Sequence, residues 1–122
     1  MLRIVGVQRE NMPAREFLLL QNQGSMRVQL RGHLVMSDLA ISCRDTGAAH
    51  AFGDEVTILP GMFVVLFSGC GEGRFVRGKD GALVYYAYMG SNRSVWEHEL
   101  GPIHLMNTQH TFVERGPALF LH

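Results

Sequence analysis

The sequence predicts an all-β sandwich. Three observations carry that reading. Short apolar runs of strand length recur along the chain, about nine of them. Turn residues (Asn, Gly, Asp and Pro) separate them at regular spacing, as in sandwiches. Nothing over residues 1–67 shows convincing helical periodicity. The 122 residues fit one domain, residues 1–122, and a chain of this size buries roughly two-thirds of its unfolded surface. A hydrophobic fraction of 47% can supply the core without metal or disulfide support.

The founding stretch is Glu16-Phe-Leu-Leu-Leu-Gln-Asn22, followed by a turn at Gln23-Gly24-Ser25 and a second run, Val28-Gln-Leu30, ending at Gly32. Asn and Gly tolerate the positive φ that tight reversals demand, so this reads as an antiparallel pair. Before it, Leu2-Arg-Ile-Val-Gly-Val7 is short and β-branched, a first strand broken by Asn11-Met-Pro13. After it come His33-Leu-Val-Met36, stopped by Ser37-Asp38, and a less regular region over 39–52 where Ile41 and Cys43 hint at a strand before the Asp45-Thr-Gly47 turn. Val56-Thr-Ile58 is brief, and Pro60-Gly61 is a strong turn signal. Met62-Phe-Val-Val-Leu-Phe67, the most apolar segment, reads as a central strand. Residues 82–89 form another, entered by an Asp80-Gly81 hairpin turn. Ser94-Val-Trp96, Ile103-His-Leu-Met106 and Thr111-Phe-Val-Glu114 close the series, with Asn107-Thr-Gln-His110 as the last turn.

Composition narrows the function classes. Eleven basic and eleven acidic residues cancel, so no net field draws nucleic acid or anionic membrane. Arginines at 3, 9, 15, 27 and 31 make a local excess, but only Phe17 accompanies them, which argues against base stacking. No run approaches the ~20 apolar residues of a membrane span. The first residues turn polar too soon for a signal peptide, which favours a cytoplasmic protein. Two cysteines, Cys43 and Cys70, suit reduced thiols, although a bridge between distant strands is open to them.

Catalytic signals are weak. The glycine-rich run Ser68-Gly-Cys-Gly-Glu-Gly73 lacks the Gly-Lys-Ser/Thr ending of a phosphate loop and reads as a plain loop. His33, His50, His98, His104, His110 and His122 include three near the closing hairpin, where Glu97 and Glu99 are also available, a reasonable zinc set by type. None has the tight spacing of metal motifs, and they read as turn and strand histidines, with His33 partly buried. No Gly-x-Ser-x-Gly elbow occurs. Cys70 needs a nearby cation or helix N-terminus to be reactive, and the sequence fixes neither. The expectation is a non-enzyme without cofactor or metal. The rival is a small metal- or thiol-dependent enzyme using the closing-hairpin histidines or Cys70.

Phe17-Leu-Leu-Leu-Gln-Asn22, its turn, Val28-Gln-Leu-Arg-Gly32 and Ser37-Asp38 resemble the opening of a lamin-tail domain of the bacterial type. Leu59-Pro-Gly61 before Phe63-Val-Val-Leu-Phe67 resembles that family's turn and central strand. Trp96, Ile103-His-Leu-Met-Asn107 and Thr111-Phe-Val113 resemble its closing hairpin. The resemblance implies an immunoglobulin-like antiparallel β-sandwich of about eight to nine short strands, used for binding and scaffolding rather than catalysis. It also implies that Leu18, Leu20, Val28, Leu30, Ile103 and Leu105 point inward and His104 outward. Trp96 would then be buried against Phe63, Val65, Leu66 or Phe67. This chain departs from the pattern in having His33 where many members carry tryptophan, Leu19 where the outward residue is often charged, and an apolar extension over 116–122. Nuclear, chromatin and filament roles are therefore not carried over.

The same register leaves Phe17 and Leu19 outward beside inward Leu18 and Leu20. A strand with one solvated face alternates with polar residues, and this one does not. The expected partner-binding set is Phe17, Leu19, Leu119, Phe120 and Leu121. The extension folds back over the first two residues, or the face pairs with a second copy or another protein.

Overall fold

The computed structural model describes residues 1–42 and 48–107. Among them are ten strands and one short helix: β1 (Leu2–Gln8), β2 (Phe17–Asn22), β3 (Val28–Gln29), β4 (His33–Ser37), α1 (Asp38–Ser42), β5 (Ala49–Ala51), β6 (Thr57–Ile58), β7 (Phe63–Phe67), β8 (Arg74–Arg77), β9 (Leu83–Tyr88) and β10 (Ile103–Asn107). The chain is all-β and sandwich-like. A five-stranded sheet ordered β1-β2-β7-β9-β8 is accompanied by a three-stranded sheet, β10-β4-β5, and the small β3-β6 pair. The inner residues of the large sheet, Leu18, Leu20, Val64, Leu66, Tyr85 and Ala87, share one core with Val35, Leu30, Ile58, Phe52 and Trp96. Among the described residues no helix is long and apolar enough to cross a membrane.

The expected inward set holds: Leu18, Leu20 and Leu30 are fully buried, and Val28, Ile103 and Leu105 pack against the core. His104 faces away from it and meets Asp38 at 3.0 Å. Trp96 is fully buried. Its apolar company is the inner set containing Leu66, because Phe63, Val65 and Phe67 alternate to the opposite face of β7.

Five local readings change. The runs at Glu16–Asn22 and Val28–Leu30 do not pair with each other: β2 lies between β1 and β7 in the large sheet, and β3 pairs with β6. Ile41 lies in a helical turn, not a strand. Ser37 caps that turn, its Oγ accepting the Ala40 N–H at 3.1 Å. Leu39 and Ile41 are exposed, so the turn buries no apolar face and left no periodicity to read. Residues 94–96 form no strand, because the Val95 and Trp96 N–H groups donate to a carboxylate instead of a ladder. The glycine-rich loop contains strand β8, returned to β9 by the Asp80-Gly81 turn, where Gly81 has φ 83°. Finally, β7 and β9 run parallel, because β9 inserts between β7 and the outer strand β8 after a crossover through 68–82.

Buried polar side chains bracket β2 and β4. Glu16, 0% exposed, precedes β2, and its Oε1 accepts the Ser68 hydroxyl at 2.6 Å and the Val95 and Trp96 N–H groups at 2.6 and 2.9 Å. Asn22 ends β2 and donates to the Met26 and Ile58 carbonyls at 2.8 and 3.0 Å. His33 opens β4 with Nδ1 3.1 Å from the Leu30 carbonyl, so that nitrogen carries the proton. Ser37 closes β4 and also accepts the Ala48 N–H at 3.0 Å. Each group supplies loop backbone with the partner that buried polar atoms require.

Candidate functional site

The outer face of the five-stranded sheet gathers Phe17, Phe63, Phe67, Tyr86 and Tyr88. Strand register sets its side chains in three rungs. The first runs Gln8, Phe17, Phe67, Tyr88; the second Gly6, Leu19, Val65, Tyr86, Arg74; the third Arg3, Gln21, Phe63, Val84, Val76. Apolar and aromatic residues fill the middle of all three, and arginine and glutamine sit toward the edges. Both faces of β2 and β7 are thus apolar, the inner buried and the outer half-buried.

Phe67 is the hub. Phe17 and Tyr86 meet it edge-on, with ring centroids 5.9 and 5.1 Å away, and Tyr88 stacks on it at 5.3 Å. Such arrangements match the ring quadrupoles and add to area burial. Arg74 lies over the Tyr86 ring at 5.4 Å and donates to the Tyr88 hydroxyl at 3.1 Å. That fixes a cation at the end of the aromatic row. Leu19 leans over Gly6, where a Cβ would stand 3.5 Å from the leucine Cβ.

Phe17 and Leu19, expected here from the sequence, are on this face. Leu119, Phe120 and Leu121 lie outside the described residues, as do His110, His122, Cys43 and the Thr111-Phe-Val-Glu114 strand. Sequence reasoning passed over Phe67, Tyr86, Tyr88 and Arg74. Period-two parity within each strand does not carry across the loops between them, so no single-strand signal points to these residues.

The alternative chemistry is dispersed. His33 is buried in the β4 turn, His98 stands exposed 3.4 Å from Glu97, and His104 pairs with Asp38. Among the described residues no group of three or more His, Cys, Asp or Glu is placed to hold a metal. Cys70 is a free, exposed thiol. The glycine-rich run serves close packing: a Cβ on Gly71 would stand 2.6 Å from the Tyr88 ring, and one on Gly73 2.1 Å from the Tyr85 hydroxyl. That hydroxyl donates to Asp54 at 2.6 Å. Burial first, then the hydrogen bond and charge of Asp54, push the Tyr85 phenol far above its ordinary range.

A scan against protein-family models finds no match for this chain, and a search of curated proteins finds none either.

Proposed function

We propose that this domain is a non-catalytic interaction module of lamin-tail type, binding a protein through the outer face of the five-stranded sheet. A second copy of the chain is the partner to test first. One observation carries the reading: the rungs centred on Leu19, Val65 and Phe67 make an aromatic-rich apolar middle with a polar rim holding Arg3, Gln8, Gln21 and Arg74. That is the anatomy of recognition surfaces, where aromatic and arginine side chains dominate the binding energy. The resemblance of residues 16–38 and 59–67 to lamin-tail segments supports the same class, since that family binds and scaffolds.

Light scattering tests it. The intact protein is expected to show a concentration-dependent dimer, and Leu19→Glu, at the centre of the middle rung, to give a folded monomer. A chain that is monomeric at every concentration, and whose solubility and stability ignore Leu19→Glu, would remove the basis for self-association through this face.

A further inference from the structure

A second surface lies along the side of the sandwich and meets the outer face at Arg3. A groove of about 1090 Å³ runs between β1 and β10. Each is the outermost strand of its sheet among the described residues. Leu2, Ile4, Ile103 and Leu105 supply an apolar floor continuous with the core. Arg3 and Arg27 supply charge, and among the described residues no carboxylate lines the groove. Arg31, also lining it, is already paired with Glu55, whereas Arg3 and Arg27 have no carboxylate partner among the described residues. We propose that this groove binds an extended peptide segment of a partner protein in which apolar residues alternate with acidic ones.

Each part of that chemistry follows from a feature of the groove. An outermost strand presents backbone N–H and C=O groups to which an extended chain adds as a further strand. Residues 2–4 of β1 are regular up to the bulge between Ile4 and Gly6, and β10 pairs with β4 without interruption. In an extended peptide successive side chains point opposite ways, so alternate apolar residues meet the floor while the others reach the arginines. Carboxylates are the complementary charge. Nucleic acid fits less well, because among the described residues no Phe, Tyr or Trp lines the groove to stack a base. The arginine excess of the first third thus divides by role. Arg3 and Arg27 face the groove, while Arg9 donates to the Trp96, Glu99 and Gly101 carbonyls at 3.0, 3.0 and 3.3 Å and holds that loop in place.

The test uses the full chain and a fluorescent, end-capped peptide of about eight alternating valines and glutamates, a usual strand length. Anisotropy is expected to show saturable binding that weakens roughly tenfold in the Arg3→Ser/Arg27→Ser double variant, since two partly exposed ion pairs are lost. A valine–lysine peptide is expected not to bind. Amide chemical-shift changes are expected at residues 2–4 and Ile103–Asn107. Leu19→Glu, on the other surface, is expected to leave the peptide affinity unchanged, so this result and the dimer result stand or fall separately. The proposal is overturned if the intact chain does not bind the peptide, or if the lysine peptide or a thymidine oligonucleotide binds equally well. Insensitivity of the affinity to loss of both arginines overturns it too, as do shifts that map to the outer face.

Discussion

β2 and β4, separated in the chain by the two-residue β3, are similar in length and opposite in how they use their residues. In β2 the buried positions are Leu18, Leu20 and Asn22, and the half-buried ones Phe17, Leu19 and Gln21. In β4 the buried positions are His33, Val35 and Ser37, and the half-buried ones Leu34 and Met36. Hydrophobicity alone would turn β4 over. The difference teaches that burial at strand ends is decided by backbone satisfaction as much as by apolar transfer. A loop N–H sealed under the sandwich needs a partner, and Ser37 Oγ accepts those of Ala40 and Ala48, which leucine would leave orphaned; His33 satisfies its own buried ring by giving the Leu30 carbonyl a second donor beside the His33 backbone N–H. β2 uses the same device just outside its apolar centre, with Glu16 before it and Asn22 at its end.

The sharpest way to break the comparison is at Glu16. Replacing it with leucine leaves the Val95 and Trp96 N–H groups and the Ser68 hydroxyl without their shared acceptor, at a cost of about 3–5 kcal/mol. Urea denaturation is expected to show that loss together with red-shifted emission, as Trp96 becomes exposed. Leu18→Ala is expected to match it at about 2–5 kcal/mol through transfer and cavity terms. If Glu16→Leu proved as stable as the parent, the bracket would be packing and not hydrogen bonding.

In β4 the expected losses are smaller. His33→Leu and Ser37→Ala each remove one bracket, at about 1–3 kcal/mol. On the outer face of β2, Leu19→Ala is expected to cost about 1 kcal/mol or less in the monomer, because that side chain is only half-buried. The pair Leu18→Ala and Leu19→Ala therefore tests register directly: equal losses would mean a strand shifted by one residue.

These elements also show where the sequence was legible. The lamin-tail resemblance placed Leu18 and Leu20 inside, whereas β2 itself, apolar on both faces, has no alternation to read; residues 62–67 were legible as a central strand but not by face. Turn chemistry located Gly61 and Gly81, whose φ values of 82° and 83° require glycine. The α1 turn was not legible, since it buries nothing. β8 was hidden by glycines that read as loop yet serve close approach to Tyr85 and Tyr88. The bracket residues were invisible for another reason: Glu16 and Ser68 are 52 residues apart, and no local pattern announces a bond that only the fold closes. Of the candidate face, Phe17 and Leu19 were readable through the same resemblance. Phe67, Tyr86, Tyr88 and Arg74 join them only through strand pairing, and the parallel β7–β9 register could not be inferred from turn spacing.

The smallest expected effect concerns β5, where β4 meets a histidine that has no bracket role. His50 pairs with Val35 in register, and its ring meets Phe52 edge-on at 5.0 Å. Its Nε2 is buried without a hydrogen-bond partner among the described residues. Burial holds the imidazole below its ordinary pKa, and the negative charge of Asp54 only partly offsets this. The neutral ring is therefore the folded form. Its contribution to stability is fully present above the unfolded-state pKa, about 6.5, and is lost as pH falls through that value toward the lower folded one. Stability measured from about pH 7.5 to about pH 5 is expected to decline in the parent and to decline less in His50→Phe, which keeps an aromatic ring against Phe52 without a titrating nitrogen. The difference between the two curves isolates His50 from the other histidines. A parent and variant with superimposable pH profiles would show that protonation at this site costs nothing, and that β5 yields to the charge where the brackets of β4 would not.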